Sequence, residues 1–494
     1  MAEQKKMNVM QLTILTGVNM MGSGIVMLPT KLASVGTISV FSWVVTALGS
    51  MALAYVFAKC GRFSRNTAAG MGGYAEYAFG KAGSHMVNYT YAFSLVVANV
   101  AIAISAVGYG ETFLENAAQT FNFAMPAVSD GSKPLITAIL AIVLIWLTTA
   151  ANFGGASVTG KIGTFTIWGI IAPVLGLSIL GWFWFSPSTY VSAWNPHNFG
   201  FWSAVGMSIP MTLWAFLGLE SACANSDAVE NPEKNVPIAV LGGTLGAAII
   251  YIASTNVMAG IVPNADLASS NAPFGLVFSM MFGPVVGLIV IGLMVIACIG
   301  SLLGWQFTVA QVFKSSAQEK YFLEIFAKVN DKGVPIIPMV ILASAQTLLA
   351  LMTVSPQLSA QFEQLTNLAV VTNVVPYIIC MASIVAIFAV SNVRHRDEII
   401  TYVVALIASI YSFYALYSTG PTSMMYGALV TFLGWTLFAS VSHRFIKAHE
   451  PLDTSLIDAM ERAGDDKRAQ IKELESYLDE LKRKETDEGK LLPA

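Results

Sequence analysis

Charge is what this sequence has least of. Only 11% of its 494 residues are Asp, Glu, Lys or Arg, whereas 55% are hydrophobic and the mean hydropathy is +0.65. A soluble domain carries about 25% charged residues, so this chain has too few solvating groups for a water-exposed surface of its size. That scarcity excludes a soluble enzyme and points to a protein that uses lipid as solvent. Cysteine is scarce too. Cys60, Cys223, Cys298 and Cys380 stand singly in or beside apolar runs without C-x-x-C spacing, which suggests neither a disulfide framework nor a zinc site. The histidines, His85, His197, His395, His443 and His449, fall at loops or span ends, and H-E-x-x-H, G-x-S-x-G and paired-carboxylate patterns are missing. No metal, hydrolytic centre or cofactor is therefore expected, and no enzyme. The first apolar stretch lacks a processing site and is followed by many others, so no cleavable signal peptide is expected.

What is present is a series of long apolar runs, not the ten-residue alternation of a membrane barrel. A bilayer span needs about 20 apolar residues. Runs between charge clusters predict spans at 10–36, 38–59, 84–112, 134–153, 160–186, 203–225, 237–262, 277–312, 334–354, 364–390, 398–418 and 422–445. With these twelve, 24 of the 26 Lys and Arg fall on one side and only Lys31 and Lys133 on the other. Positive residues favour the cytoplasm, so both termini are expected there. The chain divides at 446. From Lys447 onward there are 9 basic and 13 acidic residues, against 17 and 16 before it. Within that 447–494 tail, Ile471, Leu474, Leu478 and Leu481 recur at helical spacing, which predicts a solvated amphipathic helix or flexible tail, with docking or self-association as the lesser alternative. Basic and acidic residues alternate there, so nucleic acid is not an expected partner.

Two spans are interrupted. Gly22-Ser23-Gly24 breaks the first, and Gly218, two residues before Glu220, breaks the sixth. If residues 10–186 and 203–390 form two halves, each opens with a glycine-interrupted helix, the pattern of an inverted-repeat transporter with its site near the midplane. The alternative is that these glycines only let neighbouring helices pack closely. The glycine-rich stretch from Ala69 to Gly80 lacks the phosphate-loop pattern and reads as a short amphipathic or re-entrant segment, or as an inert connection. Tyr74 and Glu76 in it are gating or path candidates, and the segment from Glu319 to Lys332 is a candidate counterpart.

Glu220 is the only acid well inside a predicted span. A charge near the bilayer centre costs about 2.5 to 3.5 kcal/mol on insertion scales, so such a residue is a functional candidate whose partner must be named. With no intramembrane Lys or Arg nearby, that partner is a proton or a cationic substrate; the alternative is a permanently protonated structural Glu. Trp214, Tyr91, Trp305, Tyr377 and Trp435 are aromatic candidates for the same site, since a desolvated ammonium stacked on a ring gains about 2 kcal/mol. Asn99 is a mid-span candidate for a substrate hydrogen bond or for interhelical bonding. The break at Gly22, Ser23 and Gly24 offers free N–H groups and a helix N-terminus to a carboxylate. An acid at one end and an anion cradle at the other suit a basic amino acid. A channel is disfavoured because no charged ring or filter sequence is present.

Several stretches carry a resemblance: Met20 to Ile25, Trp214 to Ser221, Val229-Glu230-Asn231-Pro232, Gly72 to Tyr77, Ala151 to Gly155, Ser301 to Phe307 and Phe432 to Leu437. Through them the sequence resembles the amino acid-polyamine-organocation transporters, and within these the bacterial putrescine-ornithine antiporters, over residues 7–446. The resemblance implies an all-α membrane fold of twelve helices, with two inverted five-helix repeats, interrupted helices 1 and 6, and two further helices. It implies exchange of putrescine for ornithine across a bacterial inner membrane and proton-coupled uptake in the reverse direction, driven by the proton or counter-substrate gradient. Carried over by position, substrate carboxylate contacts fall on Ser23 and Gly24, substrate-facing tryptophans on Trp214 and Trp305, and the sixth-helix acid on Glu220. Tyr91 matches an aromatic on the periplasmic side, and Glu76 an acid on the cytoplasmic path. Phe438 stands where tyrosine is the pattern, and the tail lies outside it. Lysine-cadaverine or arginine-agmatine exchange, proton-coupled symport, and a membrane sensor signalling through its tail are the alternatives. The expected partners are cationic small molecules and lipid, with allowance for a homodimer.

Overall fold

The computed structural model describes residues 8–64, 70–125, 129, 131–220, 230–330, 333–352, 354, 357–391, 393–444 and 467–488. Among these, helix is the only regular structure. In chain order the helices are α1 (Val9–Met20), α2 (Leu28–Val35), α3 (Val40–Phe63), α4 (Gly70–Phe121), α5 (Lys133–Asn152), α6 (Ala156–Thr166), α7 (Trp168–Leu180), α8 (Pro187–Ser192) and α9 (Phe201–Trp214). They continue with α10 (Pro232–Ile261), α11 (Asn264–Ser269), α12 (Pro273–Phe282), α13 (Pro284–Gln318), α14 (Ile336–Met352), α15 (Leu358–Ala389), α16 (His395–Ser418), α17 (Pro421–Ser442) and α18 (Lys467–Glu488). Residues up to Ser442 make one compact unit and those from His443 another. In the second, α18 carries an exposed Leu478 and Leu481 and a Lys484–Glu480 pair at 3.8 Å.

Nine helices among the described residues are long and apolar enough to cross a membrane. The other three predicted spans take different forms. The segment read as 10–36 is not one helix: α1 stops at Met20, a 3-10 turn runs Ser23–Ile25, and α2 begins at Leu28. The segment read as 203–225 holds α9, which ends at Trp214. Residues 221–229, including Ser221, Cys223 and Val229, lie outside the described residues. The ninth, read as 334–354, is the 17-residue apolar helix α14. The span read as 277–312 begins later, because Gly283, at φ +96, separates α12 from α13.

The surface is apolar where a soluble protein would be polar. Phe165, Phe183, Trp202 and Phe432 are each at least two-thirds exposed. In lipid such side chains incur no hydration cost. Inside, α4 packs chiefly on α15 and α13 and forms the centre of the unit. It is two helices meeting at Gly80, whose φ of 59° and ψ of −157° are open to glycine but not to a residue with Cβ. The stretch from Gly70 is thus helical and buried over Met71 to Ala75, and Cys380 Sγ reaches Met71 O at 3.5 Å.

This end of the unit is tied by side chains. Gly72 N–H donates to Asn88 Oδ1 at 3.1 Å, while Asn88 Nδ2 donates to the Ser316 and Tyr321 hydroxyls at 3.2 and 3.1 Å. Burial pushes the Tyr321 hydroxyl up to about 12, so it stays neutral and accepts. His85 places its ring nitrogens against Tyr321 O at 2.7 Å and Gly434 O at 2.9 Å. Tyr89, Phe322 and Phe438 surround that ring at 5.1 to 5.8 Å between centroids. The segment from Glu319 onward therefore docks on the same base as Gly70 to Ala75.

Candidate functional site

Helix α9 ends where glycine allows the chain to turn. From Ala215 the backbone runs as turns to Glu220, with Gly218 at φ +108, a conformation that strains any L side chain. The turn brings the Gly218 N–H back onto the Glu220 carboxyl, donating to Oε2 at 3.1 Å. Tyr377 Oη, from α15, donates to the same oxygen at 2.6 Å. Tyr91, from α4, lies against the carboxyl as well. Glu220 is 4% exposed, and its other oxygen, Oε1, has no hydrogen-bond partner among the described residues.

The two interruptions meet. A Cβ built on Gly24 would stand 3.3 Å from Ala215 Cα and 3.7 Å from Trp214 Nε1. Around this contact lies a cleft. Its walls are Met20, Gly22 and Gly24 of the first break; Trp214, Leu217, Gly218 and Glu220 of the second; Ser94, Leu95, Ala98 and Ile102 of α4; Trp305 of α13; and Asn373 of α15. No Lys or Arg lines it among the described residues. Trp214 Nε1, a donor, lacks a partner there, as do the acceptors Glu220 Oε1 and Asn373 Oδ1.

Of the residues singled out from sequence, Gly22, Gly24, Trp214, Glu220 and Trp305 thus line one cleft, and Tyr91 and Tyr377 stand behind its acid. Ser23 opens the 3-10 turn between the two glycines. Asn99 is fully buried and is not among the lining residues; neither amide atom has a partner among the described residues. Trp435 is not brought to this cleft: it is 47% exposed on α17, edge-on to Phe438 at 6.5 Å. Tyr74 and Glu76 are also elsewhere, before the Gly80 kink, where Glu76 pairs with Lys81 at 2.7 Å and accepts from Ser84 at 3.4 Å. Ser94 and Asn373 line the cleft without having been singled out. Their signal was positional: Ser94 follows Tyr91 by three residues and Asn373 precedes Tyr377 by four, which places each pair on one helix face. No His/Cys/Asp/Glu group fit to hold a metal occurs among the described residues.

The comparisons with known proteins agree with one another. The amino acid permease family model matches residues 7–442. The putrescine transporter PotE of Escherichia coli is 61% identical over 444 residues, covering 90% of this chain and 98% of that protein. The same transporter of Haemophilus influenzae is 60% identical, covering 90% and 99%. A cadaverine/lysine antiporter of Escherichia coli is 29% identical over 450 residues, covering 90% and 96%. With interrupted helices enclosing a buried acid, an apolar girdle, and a family match over nearly the whole helical unit, this chain belongs to the amino acid permease family, whose members are membrane transporters.

Proposed function

We propose that this protein exchanges putrescine for ornithine across a bacterial inner membrane, with both termini in the cytoplasm and its helices arranged as two inverted five-helix repeats plus two. The observation that carries the reading is the Glu220 carboxyl. It is buried where two interrupted helices touch, one oxygen is held by Tyr377 and Gly218, the other has no partner among the described residues, and the cleft that Glu220 lines has no basic side chain among them. An ionised carboxylate is costly to occlude alone, so an ammonium or a proton must accompany it as access alternates. That requirement favours exchange over leak. The opposite polarity sits beside it: Trp214 Nε1–H and the break at Gly22 to Gly24 suit the carboxylate of an amino acid. The 61% identity to a putrescine transporter, against 29% to a cadaverine/lysine antiporter, supports a substrate pair whose two amines are four carbons apart.

The test is counterflow. Labelled putrescine uptake is measured into proteoliposomes loaded with ornithine, lysine, arginine or buffer. Ornithine-loaded vesicles should take up putrescine fastest and buffer-loaded ones little without an imposed proton gradient. Stimulation by lysine or arginine but not ornithine would reassign the substrate pair, and equal uptake in all vesicles would end the exchange reading.

A further inference from the structure

The cleft has a second cation acceptor besides its acid, and proton counting identifies it. Ser94 Oγ donates its one hydroxyl proton to Tyr91 O at 2.7 Å. Toward Asn373, 3.0 Å away, it can then only accept, so the amide group facing it is the NH₂. The proton count thus fixes which way the amide points. The Asn373 oxygen is thereby turned away from Ser94, and it has no partner among the described residues although the residue is 1% exposed and lines the cleft. A buried carbonyl oxygen without a donor costs free energy, and in a ligand site that cost is removed when a donor arrives.

The place of this oxygen indicates which donor. Asn373 and Tyr377 are four residues apart on α15, so they are neighbours on one face, about 5–6 Å between Cβ atoms. Tyr377 Oη is bonded to the Glu220 carboxyl. Tyr377 thus ties the acid of the second break to the helix face that carries Asn373, and the cleft has two acceptors, one anionic and one neutral. We infer that Asn373 receives the second ammonium of a short linear diamine whose first ammonium pairs with Glu220, and so sets the preference for diamines over monoamines. This rests on the diamine reading above. A neutral acceptor suits an exchanger of unlike charges: a second carboxylate would over-neutralise a monocationic amino acid, whereas an amide oxygen takes either cargo's amine.

The experiment compares putrescine with butylamine, which keeps the four-carbon chain and one ammonium, as cis-substrates for exchange by purified wild-type, Asn373→Leu and Asn373→Asp proteins in ornithine-loaded liposomes. For Asn373→Leu, KM for putrescine should rise about tenfold, the effect of one hydrogen bond to a charged group, while KM for butylamine stays within about twofold. Asn373→Asp should restore or exceed the wild-type preference for putrescine. A leucine variant that weakens both amines equally, or keeps the preference, overturns the assignment. If the leucine variant does not fold, an aspartate variant without the diamine preference overturns it equally. Wild-type protein that transports neither amine would instead defeat the diamine reading on which it rests.

Discussion

At the scale of single residues, the two oxygens of Glu220 are in unlike surroundings, and the difference organises the site. Oε2 is fixed by Tyr377 and by the Gly218 N–H; Oε1 has no partner among the described residues. Glu220→Gln keeps the shape and removes the charge, and removing one member of a buried charge pair costs about 3–5 kcal/mol. Exchange by this variant should fall by at least about a hundredfold while the protein still inserts; ordinary exchange kinetics in proteoliposomes would defeat the role given to the acid. Tyr377→Phe deletes one bond to a charged group and frees the carboxyl to turn, so putrescine KM should rise about tenfold with kcat less affected, measured in the same assay. Glu220 was legible because an acid in an apolar run has few other uses. Asn373 and Ser94 were not, because a polar residue in a span serves equally well as interhelical glue, and only neighbouring helices decide which. Trp435 shows the converse: aromatic identity at a mid-span position does not say whether the ring faces a cleft or lipid.

At the scale of elements, the interruptions were readable from glycine positions, but their mutual contact was not, since it joins residues nearly two hundred positions apart. Gly24 is where they touch, with 3.3 Å to Ala215 for a new Cβ. Gly24→Val should separate them and abolish exchange with little change in expression, whereas Gly24→Ala asks its neighbours to yield only a few tenths of an ångström and should retain measurable transport. Gly36 does a different job. It joins α2 to the following 3-10 turn at φ +106, and a Cβ there would meet Pro196 Cδ at 2.6 Å. Gly36→Ala combines left-handed strain of about 1–2 kcal/mol with that clash, so it should lower the melting temperature in detergent rather than alter substrate preference. Span count was legible for the long helices and failed as a single rule for the rest. Interrupted helices are short by construction, and a window of hydropathy reads across Gly22 to Gly24 because three near-neutral residues hardly lower an average set by their apolar neighbours. Lys31 of α2 and Glu363 of α15 bond at 2.8 Å, so the helix bearing Asn373 and Tyr377 is also tied to the first interrupted helix. With Glu363 half-exposed, that tie is worth at most about 1 kcal/mol.

For the whole molecule, charge alone predicts a near-neutral part up to 446 and an acidic tail from Lys447, and by contacts the chain divides into compact units at Ser442. The residues that line the cleft all belong to the first. Deleting residues after Lys447 should therefore leave putrescine exchange unchanged in vesicles; loss of transport on truncation would favour a signalling or regulatory role for the tail. The outward-facing Phe165, Phe183, Trp202 and Phe432 carry a last consequence. Dilution from denaturant into plain buffer offers these rings only each other, so recovery of active protein should require an amphiphile before the chain collapses. The detergent, nanodisc or vesicle is then a component of the native state, and every stability measured for this protein belongs to the pair.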